Sequence, residues 1–146
     1  MFLSLSLDTY RECGDHKKAI DIWKTETLQV YRAELGDHPW TASILQYIAD
    51  SYKALADGTS KLDNVNLAIK YSREALGLRI KLLEVHEDTA RSRIDLSDLL
   101  KIKKEFKEAL DELDKALEIQ KDVQGKQHKS TKDTVAKKMI LESEMK

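Results

Sequence analysis

At 146 residues the chain is long enough to bury one compact core and too short for two domains of ordinary size. Its 25 lysines and arginines nearly cancel 26 aspartates and glutamates, which excludes a bulk electrostatic draw toward nucleic acid or an anionic membrane. One proline and five glycines leave few turns for a sheet protein, and the single cysteine, Cys13, excludes an internal disulfide and a multi-cysteine zinc site.

Residues 1–12 are expected to form a first helix, apolar at Met1, Phe2, Leu3, Leu5 and Leu7 and lacking a capping signal. This run has no basic flank or cleavage site and is far too short to cross a bilayer, so cytoplasmic residence is the simplest expectation. Cys13-Gly14-Asp15 makes a turn, and a second helix runs from about His16 to Glu34 with Ala19, Ile20, Trp23, Leu28, Val30 and Tyr31 buried. Gly36 and Pro39 end that helix and open the next, which spans about Pro39 to Ala56 with Ile44, Leu45, Ile48, Ala49, Tyr52 and Leu55 apolar. The stretch Asp57 to Asn64 reads as an exposed loop, and the fourth helix, about Asn64 to Leu83, buries Leu67, Ala68, Tyr71, Ala75, Leu78 and Leu82. From Asp88 to Gly125 two amphipathic helices meet at a short polar turn. Ile94, Leu96, Leu99, Leu100 and Ile102 mark the first, and Phe106, Ala109, Leu110, Leu113, Ala116, Leu117 and Ile119 the second. A last, polar helix covers 129–146, with Val135, Ala136, Met139, Ile140, Leu141 and Met145 as its apolar residues.

These elements repeat. His38, His86 and His128 are each followed three residues later by Thr41, Thr89 or Thr131, and Ala19, Ala68 and Ala109 precede the histidines by 19, 18 and 19 residues. A period in the forties built from helix pairs is the signature of a helical solenoid. The expectation is an all-α, right-handed α-solenoid in a single domain, with antiparallel hairpins at about 1–36, 37–84 and 85–126 and a capping helix at about 129–146.

The residues that carry the repeat resemble tetratricopeptide repeats (TPR) of the longer, kinesin light chain and nephrocystin-like kind. His38-Pro39-Trp40-Thr41-Ala42 and His86-Glu87-Asp88-Thr89-Ala90 match that repeat's opening. Leu45, Ile48, Ala49 and Tyr52 match its helix A, as Leu96, Ser97 and Leu100 do less fully; Phe106, Ala109, Leu113 and Ala116 match its turn and helix B. Departures are Arg93 in place of a leucine, Glu26 in place of a small alanine, and seven extra residues in the turn after Tyr52. The resemblance implies a module whose inner groove, lined by helix A, binds peptides or extended segments of other proteins.

Subtracting the core positions of helix A leaves a pattern on the groove side. Asp8, Asp50 and Asp98 share one position, and Arg11, Lys53 and Lys101 lie three later, flanked by Gln46, Tyr47, Arg91, Ile94 and Asp95. Stacked in register these form an acidic row beside a basic row, suited to a peptide of both charges with Tyr47 and Ile94 as apolar contacts. The same letters also arise if each Asp merely pairs with its basic neighbour at i,i+3, worth about 0.2–0.5 kcal/mol. The histidines lie in successive turns, a hairpin apart, and read as residues of helix starts and not as metal ligands. Glu108, Asp111 and Glu112 read as an exposed face, and no phosphate loop, nucleophile triad or zinc motif is present. Trp23 reads as core, whereas Trp40 either staples its turn or stands exposed as a contact.

The expected function is therefore a non-enzymatic protein-interaction module or scaffold that uses no cofactor and no metal. Its partner is a protein or peptide and not a nucleic acid or membrane. The alternative is a structural spacer, or a terminal stretch of a longer array that forms homo-oligomers through its apolar first helix.

Overall fold

The computed structural model describes residues 15–56 and 61–146. The expected first helix, with Asp8 and Arg11, the Cys13-Gly14 turn and Asp57 to Ser60 lie outside the described residues. All regular structure among the described residues is helical: α1 His16–Ile22, a π-helical turn Trp23–Thr27, α2 Leu28–Leu35, α3 Pro39–Ala54, α4 Lys61–Leu83, α5 Glu87–Ile102, α6 Phe106–Val123 and α7 Lys129–Glu144. The chain divides into two compact units, one ending at Leu78 and one beginning at Arg79, so the boundary falls within α4.

In the first unit, α1, the π turn and α2 pack on α3. Trp23 is buried there, with its ring centroid 5.3 Å from that of Tyr47. The seam between α3 and α4 is aromatic: Tyr52 and Tyr71 stack at 5.8 Å, and Lys24 donates a 3.1 Å hydrogen bond to the Tyr52 hydroxyl. That bond raises the Lys24 pKa above its ordinary value, against the opposing effect of burial. Asn64 Nδ2 donates to the Leu55 carbonyl at 3.1 Å, tying the start of α4 to the end of α3.

The π turn resolves the misfit of Glu26. In a continuous α-helix Glu26 would stand seven residues after Ala19, the place of the fully buried Ala75 and Ala116 in the other repeats. A lone carboxylate there would lose its hydration without a partner. One extra residue in the turn, closed by the Leu28 N–H on the Trp23 carbonyl, puts Thr27 in that place and Glu26 on the surface. The expected single helix from His16 to Glu34 is thus interrupted, and Val30 is 46% exposed where burial was expected. Helix α4 starts earlier than expected, so Lys61, Leu62 and Asp63 belong to the helix and not to the loop. Its core residues are Val65, Ala68, Ile69, Tyr71, Ala75 and Leu76, whereas Leu67, Leu78 and Leu82 are only partly buried.

In the second unit, α5 and α6 form a hairpin and α7 packs on α6. The hairpin turn closes when the Glu105 N–H reaches the Leu100 carbonyl at 2.8 Å and Lys104 takes a left-handed φ of 67°. Leu96, Leu99, Leu100, Leu113 and Leu117 fill the core with Ala109 and Ala116, while Ile102 lies at the surface. Glu112, expected on an exposed face, is 9% exposed and receives Arg93 Nη1 at 2.9 Å. The leucine-to-arginine departure at residue 93 is therefore matched by an acid on the facing helix. Only Leu141 of the apolar residues expected to seat the last helix is buried; Thr131 and Thr134 complete its inner face.

Each repeat-opening histidine caps its helix. The Nδ1 atoms of His38, His86 and His128 accept from the backbone N–H of Trp40, Asp88 and Ser130 at 3.1, 3.0 and 3.2 Å. An imidazole thus does the work usually done by Ser or Asp, satisfying one of the four unpaired donors at a helix start. The threonine three residues on is buried in every case, and Thr41 Oγ1 donates to the Gly36 carbonyl at 3.0 Å.

Candidate functional site

The groove residues expected from the sequence fall on two helices, α3 in the first unit and α5 in the second. On α3, Asp50 and Lys53 are exposed, while Gln46 is buried and donates to Asp50 Oδ1 at 3.1 Å. Tyr47 is half-buried because its ring packs on Trp23, leaving only part of it for an outside contact. On α5, Arg91 is exposed, and Ile94, Asp95, Asp98 and Lys101 are partly exposed.

Helix α7 contributes to the surface around Asp98 and Lys101. Lys137 Nζ donates to both oxygens of Asp98 at 3.0 and 2.9 Å, and Lys101 lies 3.5 Å from Glu144. Asp98 and Lys101 therefore each pair with α7 in place of the i,i+3 pair between themselves. These four side chains remain substantially exposed, so each bridge adds little stability and its charges can be exchanged for those of a ligand. Ser97, Asp98, Lys101, Leu113, Lys137, Ile140 and Leu141 surround a cleft of about 220 Å³ with an apolar floor and charged rim. Lys137 and Ile140 were not expected from the sequence, because α7 reads as a cap. Their signal was positional: Lys137 is six residues after Thr131, as Tyr47 is after Thr41 and Asp95 after Thr89.

Outside this region Lys138 pairs with Asp114 at 2.8 Å, a bond that raises the lysine pKa. Trp40 is 59% exposed, its ring edge-on to His38 at 5.2 Å, so it does not staple the turn into the core.

A family model described as tetratricopeptide repeat matches residues 47–122, just over half of the 146. The chain belongs to the tetratricopeptide repeat family. Among solved structures, the nearly identical TPR-like repeats of a Podosopora anserina kinesin light chain candidate superpose with a TM-score of 0.77 at 16% identity, covering 95% of this chain and 63% of that one. BtubC (BKLC) from P. vanneervenii superposes with a TM-score of 0.81 at 19% identity, covering 98% of this chain and 54% of that one. The fold is thus an all-α, TPR-like solenoid similar to kinesin light chain-like repeat proteins. This TPR chain spans between about half and two-thirds of those neighbours' lengths. No curated protein matches it by sequence. TPR repeats mediate protein–protein interactions, and no described helix is long and apolar enough to cross a membrane.

Proposed function

We propose that this TPR chain is a cytoplasmic, non-catalytic interaction module that binds an extended segment of a partner protein along the groove side of its A-type helices. The observation that carries the reading is the cleft of about 220 Å³ beside α5 and α7, where Asp98, Lys101, Lys137 and the exposed Ile140 surround the buried Leu113 and Leu141. An extended peptide could seat a small apolar side chain in that cleft and trade its own charges for the exposed bridges around it. Asp50 and Lys53 on α3, exposed and at the same repeat positions as Asp98 and Lys101, are the corresponding candidate contacts of the first unit in this reading. Charges of both signs favour a partner segment of mixed charge over a purely acidic or basic one.

Pull-down with the wild-type protein beside two charge-reversal variants tests the assignment. One variant carries Asp50→Lys with Lys53→Glu, the other Asp98→Lys with Lys101→Glu, and circular dichroism checks that both fold. Partners retained by wild type and lost by both variants support the groove. An unchanged set of partners on both folded variants removes it.

A further inference from the structure

A second hollow, of about 340 Å³, opens where the turn between α4 and α5 meets the last turns of α6, a B-type helix and not one of the groove-lining A-type helices. Val85 and Ile119 supply its apolar lining, and Glu118, Lys121 and Asp122 its charges. All five residues belong to the second compact unit. Val85 is 59% exposed, and Ile119 is only half-buried although it continues the apolar spacing of α6. The walls are tied to each other. Gln124, at the end of α6, donates to Glu87 Oε2 at 3.0 Å, and His86, next to Val85, caps the start of α5. On the other side of Val85 the Glu84 N–H closes the end of α4 on the Ile80 carbonyl at 3.1 Å. Val85 thus sits between two anchored residues, and the hollow is formed before a ligand arrives.

The charges of the hollow are uncommitted. Glu118 and Asp122 stand one turn apart on the exposed side of α6, and neither forms an ion pair or hydrogen bond with a described residue, whereas Asp98 and Glu144 on the groove side are both engaged. Like charges at i,i+4 repel, so a cation placed between them is favoured twice. We infer that this hollow binds an arginine side chain from an extended segment of a partner protein, at a surface separate from the groove. An arginine carries both halves of the required chemistry: its methylene stem covers Val85 and Ile119, and its guanidinium, with five donors in a planar fork, serves both carboxylates together. A lysine offers the same stem but a compact, strongly hydrated ammonium that meets one carboxylate at a time. An apolar side chain would take water from two carboxylates and give nothing back, and an acid would be repelled by them. Lys121 disfavours a run of basic residues and favours an acid beside the arginine. The volume lies at the low end of the roughly 300–1,000 Å³ of small-ligand sites, which suits one long side chain with its neighbouring backbone and not a docked helix.

The probe is a capped peptide of one arginine followed by one glutamate between glycines, titrated into the whole protein and followed by the methyl NMR signals of Val85 and Ile119. Saturable shifts of both methyl sets are expected. The same peptide with citrulline, which keeps the shape and removes the charge, is expected to bind at least about fivefold more weakly, as is the norleucine peptide. Glu118→Gln with Asp122→Asn, both at exposed positions, is expected to weaken the arginine peptide at least about fivefold without lowering the melting temperature. The groove variant Asp98→Lys with Lys101→Glu is expected to bind it as wild type does, so this site stands or falls apart from the groove. Absence of saturable shifts, equal binding of the citrulline or norleucine peptide, or undiminished binding by the Glu118→Gln, Asp122→Asn protein overturns the proposal. Shifts confined to the methyls of Ile140 and Leu141 also overturn it, by giving the arginine to the groove cleft.

Discussion

Arg93 Nη1 and Glu112 Oε2 lie 2.9 Å apart with both side chains largely out of water, joining α5 to α6 across the centre of their seam. Two desolvated charges of this kind hold each other in place more than they stabilise the fold, because their attraction must first offset lost hydration. Glu112→Ala leaves a guanidinium buried and unpaired and is expected to cost about 3–5 kcal/mol in urea unfolding. Arg93→Leu combined with Glu112→Tyr, the residues at the same repeat positions in α3 and α4, is expected to be neutral or stabilising by about 1–4 kcal/mol. A double variant as unstable as Glu112→Ala alone would show that the seam depends on the charges themselves.

The left-handed residues at helix ends give a prediction of opposite sign. Glu84 has φ 52° and sits two residues before its histidine, where the preceding repeat has Gly36 at φ 59°. Lys104 has φ 67° in the hairpin turn. Left-handed backbone costs a residue with a Cβ about 1–2 kcal/mol, part of which glycine returns through its freer unfolded state. Glu84→Gly and Lys104→Gly are each expected to stabilise by up to about 1 kcal/mol, raising the melting temperature, whereas Gly36→Ala lowers it.

How far these features could be read beforehand depended on whether they were local. Among the described residues, the helices from Pro39, Glu87, Phe106 and Lys129 and the histidine starts follow from 3-4 spacing and single-residue chemistry, whereas the break after Ile22 and the earlier start of α4 do not. Arg93 stood out as a departure but Glu112 read as part of an exposed face, because their partnership spans 19 residues and needs the hairpin register to emerge. The π turn left a fainter trace: Leu28 follows Ala19 by nine residues, whereas Leu76 and Leu117 follow Ala68 and Ala109 by eight. On the candidate groove, the places of Asp50 and Asp98 follow from the repeat period. The engagement of Asp98 by Lys137 does not, because a helix read as a cap was given no groove side.

Deleting Glu26 tests that account of the π turn. Removal of one residue returns Leu28 to eight residues after Ala19 and lets Thr27 occupy the alanine position in an uninterrupted α-helix. The deletion variant is expected to fold with unchanged or higher helical content by circular dichroism and to melt no lower than wild type. Deleting Leu28 instead, which removes a buried side chain, is expected to cost about 2–5 kcal/mol. If the Glu26 deletion destabilises as much as the Leu28 deletion, the π turn is required for a reason other than Glu26.

The capping histidines predict a graded series at one position. In His86→Ala the Asp88 N–H loses its acceptor, and the loss is expected to be about 0.5–2 kcal/mol by thermal or urea unfolding. His86→Asn and His86→Asp offer an oxygen within reach of the same donor and are expected to recover most of it. A histidine kept for metal binding or catalysis would show no such ranking, since asparagine would then be no better than alanine.

Lys24 supplies a dependence on alkaline pH. Its ammonium donates to the Tyr52 hydroxyl and lies 5.7 and 5.9 Å from the ring centroids of Tyr52 and Tyr71, so the folded protein favours the charged form and its pKa is raised above 10.5. A group whose pKa is raised by folding contributes stability that is complete below its unfolded value and lost as pH climbs through the folded one. Wild type should therefore exceed Lys24→Met in urea stability by a constant margin up to about pH 10, and the margin should shrink as pH rises further. Tyr52→Phe removes the acceptor but keeps the rings stacked, and in that background the pH-dependent part of the margin should largely disappear. A margin between wild type and Lys24→Met that stays constant through pH 11 would mean that the lysine stabilises the seam through its methylene stem alone.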